Sequence, residues 1–197
     1  MTTQQLQTKN SSWNFNTDPV NEWAYWEKAF TPEECQAIIA IGESRMPTKA
    51  TVVGENNGIR DCEVSWLYSV DDLEWAFRRV TDIITDLNNQ FFKFDLFGLH
   101  EGFQFTKYTA PGEHYGAHVD RIVNGTVRKL SFTLQLSDPA DYEGGNLQLM
   151  NSKNPTVASR EQGYVTVFPS YTLHEVTPVT RGTRYSLVSW VTGKPFK

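Results

Sequence analysis

The chain has 197 residues, of which 39% are hydrophobic, 13% aromatic and 21% charged, and its formal net charge is −5. This length suits one domain with a sizeable core, and the composition excludes a disordered chain or a coiled coil. Binding to nucleic acid needs clustered positive charge, which an acidic chain without a Lys/Arg block lacks. We therefore expect no nucleic-acid partner.

The cysteines and the hydropathy pattern indicate where in the cell the protein is expected to be. Cys35 and Cys62 are too few for a disulfide framework and lack C-x-x-C spacing, so we expect both to be reduced, buried and inert. The first residues lack the apolar stretch of a signal peptide, and no apolar run reaches the length of a membrane helix. The sequence therefore predicts a soluble, cytoplasmic protein without a membrane partner.

Two segments divide the chain. Residues 1–18 are polar, with Trp13 and Phe15 as their only aromatic anchors, and we predict a flexible N-terminal arm. Residues 19–197 contain no internal repeat and no composition change typical of a linker. We therefore predict a single domain over residues 19–197.

A first helix follows a capping-box pattern. Thr31 supplies an N-cap hydroxyl, Pro32 suits the first helical position, and Glu34 lies three residues after the cap. The spacing predicts a helix that ends near Ser44, with an apolar stripe formed by Ile38, Ile39 and Ile41.

A second helix has the strongest periodicity of the chain. We expect Asp71 to cap it. Apolar residues then recur at steps of three and four, which predicts one continuous face packed on a sheet. These residues are Leu73, Ala76, Phe77, Val80, Ile83, Ile84, Leu87 and Phe91.

The segment between the helices, residues 46–62, contains Pro, two Gly and an Asn-Asn pair. This composition favours a long loop or an irregular hairpin. Loops of such length often serve as lids, and the stretch from Gly54 to Gly58 is where flexing is expected.

From about residue 93 the hydrophobic period changes from 3.6 to 2. The run from Leu130 to Ser137 alternates apolar and polar residues, which predicts a half-buried strand. Further β-rich runs follow at residues 145–150, 163–168, 173–179 and 184–192. Two helices followed by many short strands predict a mainly β fold, a double-stranded β-helix (jelly roll) with the N-terminal helices packed on one sheet.

His118 and Asp120 form an H-x-D pair. In an extended segment, residues i and i+2 point to the same side, so an imidazole and a carboxylate can bind one ion. His174, near the start of another β-rich run, is the best third ligand. Two His and one carboxylate with open positions suit non-haem Fe(II), although the same set could also hold the zinc of a hydrolase.

Arg184 lies ten residues after His174 and shares one parity of the last strand with Ser186, Val188 and Trp190. An inward guanidinium beside a hydroxyl is suited to binding a carboxylate ligand. A zinc hydrolase would not explain such an arginine.

Taken together, three segments carry a resemblance: FTKYTAPGEHYGAHVD, GGNLQL and VFPSYTLHEVTPVTRGTRYSLVSW. In order and spacing they resemble the 2-oxoglutarate and Fe(II)-dependent oxygenases, most closely the prolyl hydroxylases. The match covers residues 100–192 well, and IRDCEVSWL at 59–67 more loosely. The separate motifs are weak, but their ordered combination is specific.

This resemblance implies roles for the residues above. The two histidines and Asp120 would hold Fe(II), while Arg184 and Tyr108 would bind the distal carboxylate of 2-oxoglutarate, with Ser186 as a further contact. O₂ would be the oxidant, with ascorbate as a reductant, and succinate and CO₂ the coproducts. An aspartate at position 120 favours hydroxylation over halogenation, because halogenating members of the family lack this carboxylate.

The same resemblance implies a substrate. Arg60, Asp61, Trp66 and Tyr115 occupy the places where prolyl hydroxylases contact their peptides, and Trp190 is a further substrate candidate. We therefore expect a protein or peptide that contains proline. A free amino acid or another small molecule is the alternative substrate, and a non-catalytic jelly-roll binding module is the alternative function.

The remaining expectations concern the lining and the other histidines. Phe132, Leu134, Phe168 and Trp190 are candidates for an apolar lining, or ordinary core residues. His114 could rival the ligands only on a helix, which the flanking glycines disfavour, and His100 is expected to be a strand or core histidine. A nucleic-acid demethylase of this superfamily would be expected to have a second arginine at position 190, where this chain has Trp.

Overall fold

The structure is a computed structural model that describes residues 20–50, 58–70, 72–120 and 125–195. The predicted arm, with Trp13 and Phe15, and residues 54–57 of the predicted lid lie outside these ranges. The single domain over residues 19–197 therefore stays a prediction. Helix α1 spans Pro32–Ser44 and α2 spans Glu74–Leu87, followed by a π-helical turn at Asn88–Phe92.

Fourteen strands are found in the described ranges. The first seven are β1 (Ala24–Trp26), β2 (Thr48–Lys49), β3 (Arg60–Asp61), β4 (Glu63–Leu67), β5 (Leu96–Leu99), β6 (Phe103–Thr109) and β7 (His114–His118). The others are β8 (Arg128–Gln135), β9 (Tyr142–Gly144), β10 (Leu147–Leu149), β11 (Thr156–Val157), β12 (Val165–Pro169), β13 (His174–Val176) and β14 (Val179–Gly193).

These strands form two sheets of antiparallel pairs. The larger sheet has the order β1-β12-β8-β14-β6-β4-β2, and β5 and β9 also pair with β14. The smaller sheet has the order β11-β10-β13-β7-β3. The predicted mainly β jelly roll with helices on one sheet is confirmed.

Helix α1 begins as predicted. Thr31 Oγ1 accepts a hydrogen bond from the backbone N–H of Glu34, and the Glu34 carboxylate accepts one from the backbone N–H of Thr31. The helix lies close to the larger sheet at Gly42, where a Cβ would be 2.5 Å from the Phe105 ring. This glycine is therefore needed for the close approach.

Helix α2 buries the predicted face against the same sheet, but its start differs from the prediction. It begins at Glu74 with Leu73 in the N-cap position, and no side chain makes a capping hydrogen bond. The predicted cap, Asp71, lies outside the described residues. The backbone turns at Asp72, where φ is 60°, so the helical conformation starts only after that residue.

Residues 51–57 of the segment between the helices, which we expect to be a long loop or an irregular hairpin, lie outside the described residues. β2 pairs with β4 in the larger sheet, whereas β3 pairs with β7 in the smaller one. The described ends of this segment therefore belong to different sheets.

The main core lies between the helices and the larger sheet, and a second cluster of buried apolar residues, including Tyr108, Leu149 and Phe168, lies on the cavity side. Cys35 and Cys62 are free and buried, and burial raises the pKa of both thiols. Among the described residues, no helix is both long enough and apolar enough to cross a membrane.

Strand β8 corrects one prediction. Its polar side chains do not face solvent as in a half-buried strand, because Ser131, Thr133 and Gln135 are buried, as are the apolar residues that alternate with them. They face the space between the two sheets, where a cavity lies.

Candidate active site

His118, Asp120 and His174 converge at one end of this cavity. His118 ends β7 and pairs directly with His174 at the start of β13, while Asp120 follows β7 by two residues. One ligand-type atom from each of the three lies within 4.8 Å of the others, and His174 Nε2 is 3.8 Å from Asp120 Oδ2. The antiparallel pairing of β7 and β13 therefore assembles the set.

The backbone orients both imidazole rings. His118 Nδ1 lies 2.8 Å from the carbonyl oxygen of Gly116, and His174 Nδ1 lies 2.9 Å from that of Thr172. Because a carbonyl only accepts hydrogen bonds, each Nδ1 carries a proton, and it is Nε2 that presents a lone pair when the ring is neutral. This is the tautomer that a metal ligand requires.

The carboxylate of Asp120 is also held in place. The Ser131 hydroxyl donates a short hydrogen bond to its Oδ2, and Ser131 Oγ lies 3.0 Å from Ser170 Oγ. The backbone N–H of Asp120 donates to the carbonyl of Ser170 at 3.0 Å. Both the backbone and the side chain of Asp120 are thus anchored to the larger sheet.

A stack of three side chains supports His118. The Tyr115 ring lies parallel to the His118 ring at 3.6 Å between centroids, and the Arg60 guanidinium lies 4.6 Å from the Tyr115 centroid. Burial, followed by the effect of His174, lowers the pKa of His118 to about 4. The ring is therefore neutral near pH 7, the form that binds metals.

Arg184 lies in the same cavity and is only 3% exposed. Its Nε donates to Gln135 Oε1 at 3.1 Å, but its buried Nη1 finds no hydrogen-bond partner among the described residues. Gly145, at a φ of 60°, leaves room for it, since a Cβ there would be 2.9 Å from Arg184 Cδ. A buried guanidinium nitrogen without a partner is the feature expected of an anion site.

Tyr108 and Ser186 lie beside Arg184, as the strand register requires. Tyr108 pairs with Arg184 across β6 and β14, and the Arg184 Cζ atom lies 5.6 Å from the Tyr108 centroid. Ser186 follows two residues later on the same face and is also buried. Burial raises the pKa of Tyr108, which keeps its hydroxyl protonated and able to donate.

The apolar lining is only partly as predicted. Phe168 and Trp190 line the cavity, and the Phe168 ring meets His174 edge-on at 4.8 Å. Phe132 and Leu134 do not line it. They point from β8 toward the helices and belong to the main core.

The side chains of Arg60 and Asp61, two of the substrate candidates, point in opposite directions from β3. Arg60 is buried and donates to Gln104 Oε1 at 2.7 Å and to Cys62 Sγ at 3.2 Å. Asp61 points the other way and forms an exposed ion pair with Lys49 at 2.9 Å. The two do not form the ion pair with each other that their adjacency suggests, because neighbours on a strand face opposite sides.

Trp66 and the two remaining histidines lie outside the cavity lining. Trp66 is 38% exposed, with its ring 6.3 Å from that of Trp190. His114 is on β7, with its ring nitrogens near the carbonyls of Gly112 and Gly58. His100 is exposed and follows the end of β5, so the prediction of a strand or core histidine is wrong.

Several residues at this site were missed by the sequence analysis. Arg128 lies 3.7 Å above the Trp190 ring and 4.0 Å from Asp120, and Glu101 holds it with hydrogen bonds of 2.8 and 2.6 Å. Ser131 was treated as solvent-facing. Gln104 and Thr106, which also line the cavity, were missed too, although both precede Tyr108 in steps of two and so share its face of the strand.

Known proteins resemble this chain in sequence. Residues 103–192 match the family model of the 2OG-Fe(II) oxygenase superfamily. A PKHD-type hydroxylase of Prochlorococcus marinus is 43% identical over 91 residues, covering 46% of this chain and 41% of that protein. One of Sphingopyxis alaskensis is 37% identical over 124 residues, covering 59% and 56%. The matches thus span only about half the length of these relatives.

Solved structures share the fold. A Pseudomonas putida prolyl-4-hydroxylase superposes with a TM-score of 0.70 at 23% identity, covering 88% of this chain and 94% of that one. A Trichoplax adhaerens prolyl hydroxylase in complex with a peptide fragment of hypoxia inducible factor gives a TM-score of 0.72 at 17% identity, covering 88% and 84%.

The matched family implies Fe(II), 2-oxoglutarate and O₂, and the donor set fits the metal, because two imidazoles and one carboxylate suit Fe(II). The buried nitrogen of Arg184 fits an anionic cosubstrate. The sequence match over residues 103–192 and the donor set agree with a 2OG-Fe(II) oxygenase, and the fold is shared with prolyl hydroxylases.

Proposed function

We propose that this protein hydroxylates a C–H bond of a peptidyl proline in a reaction that depends on Fe(II) and 2-oxoglutarate. The observation that carries the proposal is the pairing of two features in one cavity. A ligand set of two histidines and one aspartate lies at one end, and Arg184, with its unpartnered buried Nη1, lies along the same wall. A metal hydrolase has no use for this second feature.

In this proposal, His118, Asp120 and His174 hold the metal. When bound, Fe(II), 2-oxoglutarate and O₂ supply an oxidative decarboxylation coupled to insertion of oxygen into a C–H bond, with succinate and CO₂ as coproducts. Ser131 holds the Asp120 carboxylate in its orientation, and the carbonyls of Gly116 and Thr172 fix both imidazoles. The ligands are thus preorganised by groups that do not themselves bind the metal.

Arg184 and Tyr108 orient the distal carboxylate of the cosubstrate, and Ser186 adds a hydroxyl on the same face. A guanidinium and a phenol donate in different directions, so together they fix both position and rotation of a carboxylate. Phe168, Leu147 and Val176 supply apolar wall that excludes water from the space between anion site and metal.

The substrate part of the proposal rests on the aromatic groups at the metal end. Trp190 lines the cavity, and the partly exposed Trp66 ring continues this apolar surface outward. A proline ring packs well on such faces. Arg60 and Tyr115 border the same space, whereas Asp61 points away from it and has no part in the proposal. The peptide-bound Trichoplax adhaerens enzyme of like fold supports a peptide substrate.

The experiment is an oxidation assay with two readouts. The protein is incubated with Fe(II), 2-oxoglutarate, O₂, ascorbate and a library of proline-containing peptides; succinate is measured, and mass spectrometry detects addition of one oxygen to proline. Peptides with alanine in place of proline, and free proline, are run in parallel. We expect oxygen on peptidyl proline and succinate in equal amounts.

The other outcomes separate the parts of the proposal. Succinate without oxidised peptide would remove the peptide substrate and keep the oxygenase, and oxidised free proline would favour a small-molecule hydroxylase. Under anaerobic conditions, Fe(II) and 2-oxoglutarate should give a visible charge-transfer band that His174→Ala abolishes. A band that persists in this variant would remove His174 from the metal site.

A further inference from the structure

Thr106 is a buried polar residue whose hydroxyl has no explanation in the fold. It is 1% exposed, it lines the cavity, and within the described ranges its Oγ1 makes no hydrogen bond. Burying a hydroxyl without a partner costs roughly 1–3 kcal/mol. A valine would fill the same volume without this cost, so the hydroxyl calls for a ligand.

The register places Thr106 at the anion end of the cavity. Thr106 pairs directly with Ser186. Two residues along the strands, the next pair that faces the cavity is Tyr108 with Arg184. Directly paired side chains of an antiparallel sheet lie about 5 Å apart and diagonal ones about 7–8 Å. The Thr106 hydroxyl and the unpartnered Arg184 Nη1 therefore border the same small volume.

The neighbouring protein groups do not satisfy this hydroxyl. On β4 its partner in register is Val64, which has no polar side chain. The amide oxygens of Gln104 and Gln135 accept hydrogen bonds from Arg60 and Arg184. A carboxylate, in contrast, has about four acceptor positions, more than one guanidinium occupies.

We propose that Thr106 binds the cosubstrate, donating a hydrogen bond to the same distal carboxylate that Arg184 holds. This inference rests on the proposed function, and it adds a specificity residue on β6 to the anion site. The hydroxyl then discriminates a 2-oxo acid with a distal carboxylate from a 2-oxo acid that ends in a methyl group.

The test measures binding, without turnover. The Mn(II)-loaded full chain is titrated with 2-oxoglutarate under nitrogen by calorimetry, and with 2-oxopentanoate, which lacks the distal carboxylate. Thr106→Val keeps the shape and removes the hydroxyl, whereas Thr106→Ser keeps the hydroxyl. We expect Thr106→Val to raise the Kd of 2-oxoglutarate about tenfold, as for a hydrogen bond to a charged group, and to leave the Kd values of 2-oxopentanoate and Mn(II) unchanged. Thr106→Ser should bind 2-oxoglutarate like the wild type.

A matched control removes a hydroxyl elsewhere. Thr192 is also buried in the larger sheet, but its Oγ1 donates to the carbonyl of Gly98 at 3.1 Å, outside the cavity lining. Thr192→Val should therefore bind both ligands like the wild type. An unchanged Kd for 2-oxoglutarate in Thr106→Val, or equal weakening of both ligands, would overturn the assignment of Thr106. Failure of the wild type itself to bind 2-oxoglutarate would instead overturn the proposed function.

Discussion

On β8, one face carries Leu130, Phe132 and Leu134, which pack against the helices, and the other carries Ser131 and Thr133, which line the cavity. Both faces are buried, with exposures of 0% for the first set and 1% and 9% for the second. Burial therefore does not distinguish core from site. The chemistry of the buried groups does, because a folded chain keeps polar side chains inside only where partners or ligands satisfy them.

This comparison predicts that changes on the helix-facing side reduce stability, whereas changes on the cavity side reduce binding. The largest effect is expected for Phe132→Ala, because Phe132 continues an aromatic column from Phe77 on α2 through Phe103. Removing a buried phenylalanine costs about 3–5 kcal/mol of unfolding free energy. Urea denaturation measures this loss, and a loss below about 1 kcal/mol would show that Phe132 is not part of a tight core.

On the cavity side, replacing Arg184 should weaken the use of 2-oxoglutarate and leave stability nearly unchanged. In Arg184→Met, loss of a charged hydrogen bond should raise the apparent Michaelis constant for 2-oxoglutarate tenfold or more, on the order of 1.5–3 kcal/mol. The unfolding free energy should not fall by more than about 1 kcal/mol, since an apolar residue replaces a buried charge. An unchanged dependence on 2-oxoglutarate would place the anion site elsewhere, and Arg181→Met, at an exposed ion pair with Glu143, is the control.

A smaller effect is expected from the group that orients Asp120, the proposed carboxylate ligand. Ser131→Ala removes the hydrogen bond to Asp120 Oδ2, and loss of such a partner weakens metal binding by about tenfold or more. Competition with a chelator dye for Fe(II) or Co(II) measures this affinity. Ser189→Ala, on the opposite face of β14 from Arg184, is the matched control, and equal loss in both variants would mean a general defect in folding.

The smallest effect is expected at the exposed side of β3. Asp61→Asn breaks a surface ion pair with Lys49, which contributes less than about 1 kcal/mol. Cosubstrate binding and peptide oxidation should both stay at the wild-type level. A selective loss of peptide oxidation, with succinate formation spared, would show that Asp61 contacts the substrate after all.

Local patterns predicted much of the fold. The capping box at Thr31 and the apolar face of α2 arise from contacts between residues three and four apart, which a linear sequence displays directly. The period of two along β8 likewise identified a strand. The start of α2 was missed, because it depends on the backbone turn at Asp72 rather than on the nearest capping residue.

The sequence predicted some residues of the candidate site and missed others. The H-x-D pair, the position of His174 near a β-rich run and the parity of β14 predicted His118, Asp120, His174 and Arg184, and the ordered motifs added Tyr108. Arg128, Glu101 and Ser131 were missed, because each becomes relevant only through a neighbour that lies elsewhere in the chain. Asp61 was included with Arg60 through the resemblance to prolyl hydroxylases, but adjacent strand residues face opposite sides, and Asp61 pairs with Lys49 instead.

Residue type and short spacing were enough to predict the secondary structure of the principal elements, the short set of candidate metal-binding side chains and the resemblance to an oxygenase family. Which face of each strand lines the cavity became clear only from the packing of the two sheets. A period of two marks two faces but does not say whether the polar face meets water or a cavity. That choice depends on the second sheet, whose pairing of β7 with β13 brings His118 and His174 together and encloses Ser131, Thr106 and Arg184.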